Sequence, residues 1–487
     1  MSNIGAVDSP SRREFIQAGV ATAGAVLASA ILPTATAQTT GKRPNLVFFY
    51  TEAQRWDALS LAGHPILKTP NQDRIGREGV WFKSAFCTNA LCAPSRTAAL
   101  TGMYSYAAGA VSNETTKGPL SPDIPLFTDL LHQAGYEVAI VGKVHVKNGV
   151  KERYWDYYFG FNAGSTDYDR PKFFEGRKGE IGEQITYNQY ADDLATDRAL
   201  AWLNEKRDKP FCLLLWPQAP HGPFFRPRRH LDLYNGIPIP KPVTFDDDLK
   251  GYPGKPRAFA EAANKIGNTN VASDSVRSLE ELVKNYCAGF VAVDENVGRV
   301  VSWLEKAGEL DNTAVFQGSD HGYFLGEWRM FDKRLMHEPS IRVPMLLRYP
   351  KRIKPGTVRN EMVLDVDIAP TLLDLAGVKA PDNMQGHSLL GLANGEAEGW
   401  RQDWLYEYND DGPEQVRPHR GIRTEQYKLI HYYLEPQEYE LYDLKSDPGE
   451  RNNLYNNPTH ATVQEQLWKR MTELRRENRE TQSSKAT

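Results

Sequence analysis

Cys92 opens the segment Cys92-Ala93-Pro94-Ser95-Arg96-Thr97-Ala98-Ala99-Leu100-Thr101-Gly102. Pro94 near a first helical turn and Gly102 as a stop predict a short helix with the cysteine at its N-terminus. Free backbone N–H groups and the positive dipole end favour an anion there and would activate a thiol. Arg96, one turn in, can lean back toward the same atom. On these residues alone, Cys92 is either a buried cysteine at a helix start or a thiolate nucleophile of lowered pKa. Other chemically pointed residues follow short apolar runs. Glu52 comes after Leu46–Tyr50, and Lys143 and His145 after Val138–Val141. His221 comes after Phe211–Trp216 by way of Pro217, and Asp320 and His321 after Thr313–Phe316. One histidine behind a strand is usually a hydrogen-bonded loop residue. Four such groups on one edge point to a common place.

The runs that must position these groups show no polar alternation, so they read as strands buried on both faces, as in a parallel sheet covered by helices. Between them lie amphipathic patterns at Leu126–Ala134, Tyr190–Lys206 and Leu279–Ala307. Alternating strands and helices mean an α/β fold with a large central, mainly parallel or mixed sheet sandwiched by helices. Ligands in such sheets bind beyond the carboxyl ends of the strands. After about Gly395 the texture changes. Tyr427–Tyr433 and Tyr439–Leu444 read as antiparallel strands with one wet face, and a charged helix is expected from about Thr462 to Arg479. The expected organisation is residues 1–37 as a leader, 43–395 as the α/β domain and 396–487 as a smaller α+β subdomain. The basic pairs Lys469-Arg470 and Arg475-Arg476 read as a solvated face.

Cys-x-Pro-Ser-Arg followed by Leu100-Thr101-Gly102 resembles the signature of formylglycine-dependent type I sulfatases, of the alkaline-phosphatase-like superfamily. In that signature the cysteine is oxidised to Cα-formylglycine (3-oxoalanine). Further segments agree, in the same order. Pro44-Asn45 with the first strand and Gln54–Leu59 resembles the family's first metal segment. Gly142-Lys143-Val144-His145 and Pro220-His221-Gly222-Pro223-Phe224 resemble two of its catalytic loops. Ser319-Asp320-His321-Gly322, Leu325-Gly326-Glu327 and Asp332-Lys333 resemble its second metal segment and sulfate-binding lysine. The likeness runs from about Arg43 to Asn453.

The resemblance implies hydrolysis of sulfate monoesters carried on carbohydrate, with one divalent cation, usually calcium (Ca2+). Carried over residue by residue, Glu52, Asp320, His321 and the formylglycine at Cys92 hold the metal. Arg96 and Lys143 hold the formylglycine and the anion. One hydroxyl of the hydrated aldehyde attacks sulfur, His221 with Lys333 protonates the leaving alcohol, and His145 deprotonates the second hydroxyl so that sulfate is expelled. The family's usual Asp-Asp pair after the first strand is here Glu52-Ala53, which removes one metal oxygen. Arg226, Arg228, Arg229 and His230 could meet a second anion on a glycan or form a solvated basic face. Tyr323 and Trp328 could stack on a sugar or pack internally. The same superfamily contains phosphonate monoester and phosphodiester hydrolases that can use the same nucleophile. A catalytically silent binding homologue is the alternative from another class.

Composition frames these expectations. The 487 residues carry 58 Lys plus Arg and 62 Asp plus Glu, a formal charge of −4. That balance argues against a nucleic-acid binder, which would carry a strong basic excess. Arg12-Arg13, the soft apolar run Ala18–Leu32 and Ala35-Thr36-Ala37 read as a twin-arginine-type signal peptide, hence export to the periplasm or outside the cell. The run is short of the ~20 strongly apolar residues a membrane span needs. An exported protein with four cysteines invites disulfides, yet commitment of Cys92 to chemistry leaves an odd number. The expected partners are a sulfated small-molecule or glycan substrate and a formylglycine-generating maturation enzyme.

Overall fold

The four apolar runs form the strands Asn45–Thr51, Glu137–Lys143, Phe211–Trp216 and Thr313–Ser319, buried throughout except at Glu137. The computed structural model describes residues 42–113, 120–146, 150, 151, 153–247, 255–268, 276–409 and 416–483; the expected signal peptide lies outside them. The strands run parallel in the order Thr313–Ser319, Asn45–Thr51, Phe211–Trp216, Glu137–Lys143, with Tyr157–Phe161 parallel beyond the last. Antiparallel partners extend both sides into a mixed sheet of 11 strands. Lys172–Arg177 and Glu180–Thr186 form one edge. Leu346–Arg348, antiparallel to Thr313–Ser319, begins the other side.

Strand residues alternate between two cores. Leu46, Phe48, Ile140, Leu214 and Phe316 face the helices Cys92–Thr101, Phe127–Gln133 and Ile368–Leu375. Val47, Phe49, Val141, Leu215 and Val315 face the helices Ala191–Leu203 and Leu279–Lys306. Apolar area removed from water on both faces, at roughly 25 cal/mol per Å², is what makes these runs strands without polar alternation.

The C-terminal part is a four-stranded antiparallel sheet, Asp403–Tyr408, His419–Thr424, Tyr427–Tyr432 and Glu438–Asp443. Leu405, Ile422, Leu429 and Leu441 pack under the helix Ala461–Ser483 through Leu467, Met471 and Leu474. The other face, with Trp404, Tyr406, Ile430 and Tyr442, shares a core with Phe86, Leu335 and Met336. One expectation needs correction. Arg470 and Arg475 are not a solvated face: they pair with Asp403 and Glu407 on the neighbouring strand and tie the helix to the sheet. All four cysteines are free and buried.

Gly142 shows how closely the central strands approach where the site begins. Its φ is +107°, and a Cβ there would stand 2.1 Å from the carbonyl oxygen of Trp216 on the adjacent strand. Gly142→Ala combines left-handed strain of about 1–3 kcal/mol with a backbone clash. It is expected to lower the apparent unfolding temperature by several degrees, or to abolish soluble production; a thermal scan matching the wild type would show that the two strands separate freely.

Candidate active site

Parallel pairing aligns the carboxyl ends of the central strands, with Thr51 beside Ser319 and Gly142 beside Trp216. The residues that follow therefore meet. The Glu52 carboxylate accepts from Lys143 Nζ at 2.6 Å and from Arg96 Nη2 at 2.9 Å, both through Oε2. Its Oε1 lies 3.3 Å from Cys92 Sγ. Asp320 divides its oxygens likewise. Oδ2 accepts from Arg96 Nε at 3.0 Å, while Oδ1 accepts the backbone N–H groups of Ala53 and His321 at 3.0 and 2.9 Å. His321 Nδ1 faces the Gly322 carbonyl at 2.8 Å, so it must donate there. That leaves Nε2 turned inward, 3.4 Å from Cys92 Sγ and 3.5 Å from both Glu52 Oε1 and Asp320 Oδ1. All four side chains are buried completely.

Cys92 does begin a helix, Cys92–Thr101, capped at Gly102 in the left-handed conformation. Arg96, however, does not lean back on the sulfur. Its guanidinium spans Glu52, Asp320 and the Lys143 carbonyl (2.8 Å), flanked by the rings of Tyr50 and Trp216 at 5.7 and 5.3 Å. It is the cation that joins two carboxylates. Lys143 reaches both partners, with Nζ 3.6 Å from Cys92 Sγ.

Burial and mutual charge dominate the electrostatics. Burial alone would raise the Glu52 carboxyl, but Lys143 and His321 outweigh it and hold it well below the usual range. Asp320 goes the other way, pushed up to about 6 by burial and by the Glu52 charge. Two carboxylates in one dry site cannot both ionise freely. Burial opposes a charged His321, yet Asp320 and the Cys92 sulfur carry it up to about 10. Burial and Glu52 raise the Cys92 thiol, but Lys143, Lys333 and His321 pull it well below its ordinary value. The site favours negative charge at position 92.

The other expected residues surround this cluster at different depths. His145 is buried with φ +38°; burial lowers its pKa against a hydrogen bond to Cys92. His221 is half-buried and Nδ1 donates to the Gly222 carbonyl at 2.9 Å, which leaves Nε2 uncommitted to that bond. Its charge lowers the Glu52 carboxyl without a hydrogen bond to it. Burial would lower the pKa of Lys333, but the Cys92 and Asp332 charges raise it. Asp332, part of the Asp332-Lys333 motif but without a role of its own in the sequence, stands 3.4 Å from Lys333 Nζ and 3.0 Å from Arg334 Nε. Only its adjacency to Lys333 hinted at this clasp. Ala53, His145, Phe224 and Asp332 all have positive φ, strain of the kind that collects at functional sites.

Several peripheral expectations resolve toward packing. Trp328 is buried against Phe259 and Tyr323 against Phe224, so neither offers a face to a sugar. Arg229 pairs with Asp193 and Glu295, His230 with Glu295, and Arg226 donates to the Leu233 carbonyl. Ala53 contributes its backbone: its N–H serves Asp320, its carbonyl accepts the Tyr286 hydroxyl at 2.8 Å, and its methyl joins an apolar core.

One ligand atom each from Glu52, Cys92, Asp320 and His321 lies within 4.8 Å of the others. Two carboxylates suit a hard divalent cation, and each turns to the cluster the oxygen that Arg96 and Lys143 leave over. The donor set therefore fits a metal, with Ala53 adding no oxygen.

The family model "Sulfatase" matches residues 44–378. The chain belongs to the sulfatase family. It is accordingly a sulfuric ester hydrolase of the alkaline-phosphatase-like superfamily. A second model, "N-sulphoglucosamine sulphohydrolase, C-terminal", matches residues 326–477. The sulfatase is 34% identical to the N-acetylglucosamine-6-O-sulfatase of Bacteroides thetaiotaomicron, over 90% of this chain and 87% of that one. It is 29% identical to the human N-acetylglucosamine-6-sulfatase, over 76% and 68% of the two chains. A solved structure in complex with its substrate, D-glucosamine-2-N,6-O-disulfate, superposes with a TM-score of 0.82 at 32% identity, covering 91% of this chain and 99% of that one.

The paired charges set a stability test. Glu52→Gln leaves Arg96 and Lys143 buried with one anion fewer, a defect of about 3–5 kcal/mol. Chemical denaturation should register a loss of that size. A variant as stable as wild type would mean that Glu52 is not needed to compensate the two cations.

Proposed function

We propose that this sulfatase hydrolyses the 6-O-sulfate ester of N-acetylglucosamine or glucosamine units in sulfated glycans. The substrate reading is supported by the relatives named above. The chemistry is carried by one observation: Cys92, inside its Cys-x-Pro-Ser-Arg motif, meets Glu52, Asp320 and His321 in a fully buried cluster. Cys92 converted to formylglycine would supply a nucleophilic hydrated aldehyde, and a divalent cation, calcium by family habit, would polarise the sulfate.

The chain's own residues then have distinct tasks. Glu52, Asp320 and His321 would hold the cation. Arg96 fixes both carboxylates at once, and Lys143 lies against Glu52 and position 92. Lys333, buried and charged, faces the anion that gathers there; preorganised cations of this kind stabilise charge developing in the transition state. His221, with Nδ1 committed to Gly222, has Nε2 available to protonate the departing sugar hydroxyl. His145, whose pKa burial lowers, is suited to accept a proton at position 92. Conversion of Cys92 requires a formylglycine-generating partner, and the leader of residues 1–37 would then direct export by a twin-arginine route.

The test is kinetic. Matured enzyme should cleave 6-O-sulfated N-acetylglucosamine and prefer aryl sulfate to phenylphosphonate monoester. Cys92→Ala should unfold like wild type yet lose measurable desulfation. Full activity in that variant, or a strong preference for phosphorus, would overturn the reading.

A further inference from the structure

His221 sits on a loop, not on a strand end, so something must hold it. The loop leaves Trp216 and turns through Pro217, Gln218, Ala219 and Pro220. Asp192, in the first turn of the helix Ala191–Leu203, accepts the backbone N–H of Gln218 on Oδ1 and that of Ala219 on Oδ2, both at 2.9 Å. Asp192 is buried and pairs with no cation through a salt bridge among the described residues. Gln218 in turn binds the backbone of Thr166 in both directions, at 2.9 and 3.1 Å. Tyr168, whose own carbonyl accepts the Ala191 N–H at 2.8 Å, donates its hydroxyl to the His221 carbonyl at 2.8 Å and lies 3.4 Å from that of Gln218. The loop also presses on the long helix where Gly289 leaves room, since a Cβ there would lie 2.9 Å from the Pro220 side chain.

We propose that Asp192 and Tyr168 are positioning residues for His221, the first clamping its loop by two N–H groups and the second by the His221 carbonyl, so that Nε2 meets the leaving oxygen. The inference rests on the reading of His221 as the leaving-group acid. A carboxylate is the one side chain of this size that can accept two consecutive N–H groups with equal oxygens. An amide would turn an N–H against an N–H and displace the loop. Misplacement of a catalytic group by the order of 1 Å can cost about 10²-fold. Such a loss should fall on substrates whose leaving group needs a proton.

The experiment compares kcat/KM of matured enzyme on a sugar 6-O-sulfate, whose alkoxide must be protonated, and on 4-nitrophenyl sulfate, whose phenolate leaves without help. His221→Ala is the reference. It and Asp192→Asn should each lose at least about tenfold more on the sugar than on the aryl ester, within the range of a general acid. Tyr168→Phe removes one hydroxyl, is the milder change should Asp192→Asn not fold, and should discriminate in the same direction. If His221→Ala discriminates while both clamp variants lower the two substrates equally, the clamp is merely structural and this inference fails alone. If His221→Ala itself does not discriminate, the assignment of the acid fails, and the clamp with it.

Discussion

Two carboxyl groups, Glu52 and Asp320, share one dry space with the Cys92 sulfur, and the fold exists around the means of tolerating them. A buried charge without a partner costs several kcal/mol, so each carboxylate must be answered. Arg96 answers two at once through a fork of fixed geometry, a task a flexible ammonium could not perform in the same way. Lys143 answers Glu52 a second time. Because the cations occupy one oxygen of each carboxylate, the other oxygens converge with His321 on position 92. Charge compensation and site geometry are thus a single arrangement.

The parallel sheet makes that arrangement possible. Four buried strands ending at the same level deliver Glu52, Lys143, the His221 loop and Asp320 to one edge. The helix opened by Cys92 brings that residue and Arg96 in from the adjoining core. Local strain marks where chain direction was subordinated to the site: Ala53, His145 and Asp332 take left-handed backbone that their side chains do not favour. Ala53 illustrates the compromise. Lacking a carboxylate, it still serves the centre, because its N–H fixes the inward oxygen of Asp320.

Much of this was legible in the sequence. Strands buried on both faces announce themselves by unbroken apolar runs, and residues placed just behind them inherit a common location from parallel pairing. The family was readable from the segment around Cys92 because that motif is long and specific. Contacts made across elements were not. Nothing in the spacing of Arg96 tells that its guanidinium turns from the sulfur to bridge residues 44 and 224 positions away. Arg229 and Arg470 read as open cations because their partners, Asp193 and Asp403, are distant in sequence. Tyr323 and Trp328 looked available for a sugar for the same reason: aromatic type does not reveal which face is already covered. The resemblance to sulfatases brought roles that periodicity could not, and the structure then showed which of those residues touch.

On the proposed function, this charged enclosure serves an oxidised side chain at position 92. Intact-mass measurement of protein made alongside a formylglycine-generating enzyme tests it most directly. The protein should then contain a species about 18 Da lighter than the unmodified chain, localised to the Cys92 peptide, with specific activity rising in proportion to its fraction. Desulfation at full rate by a protein that carries only the thiol would contradict it.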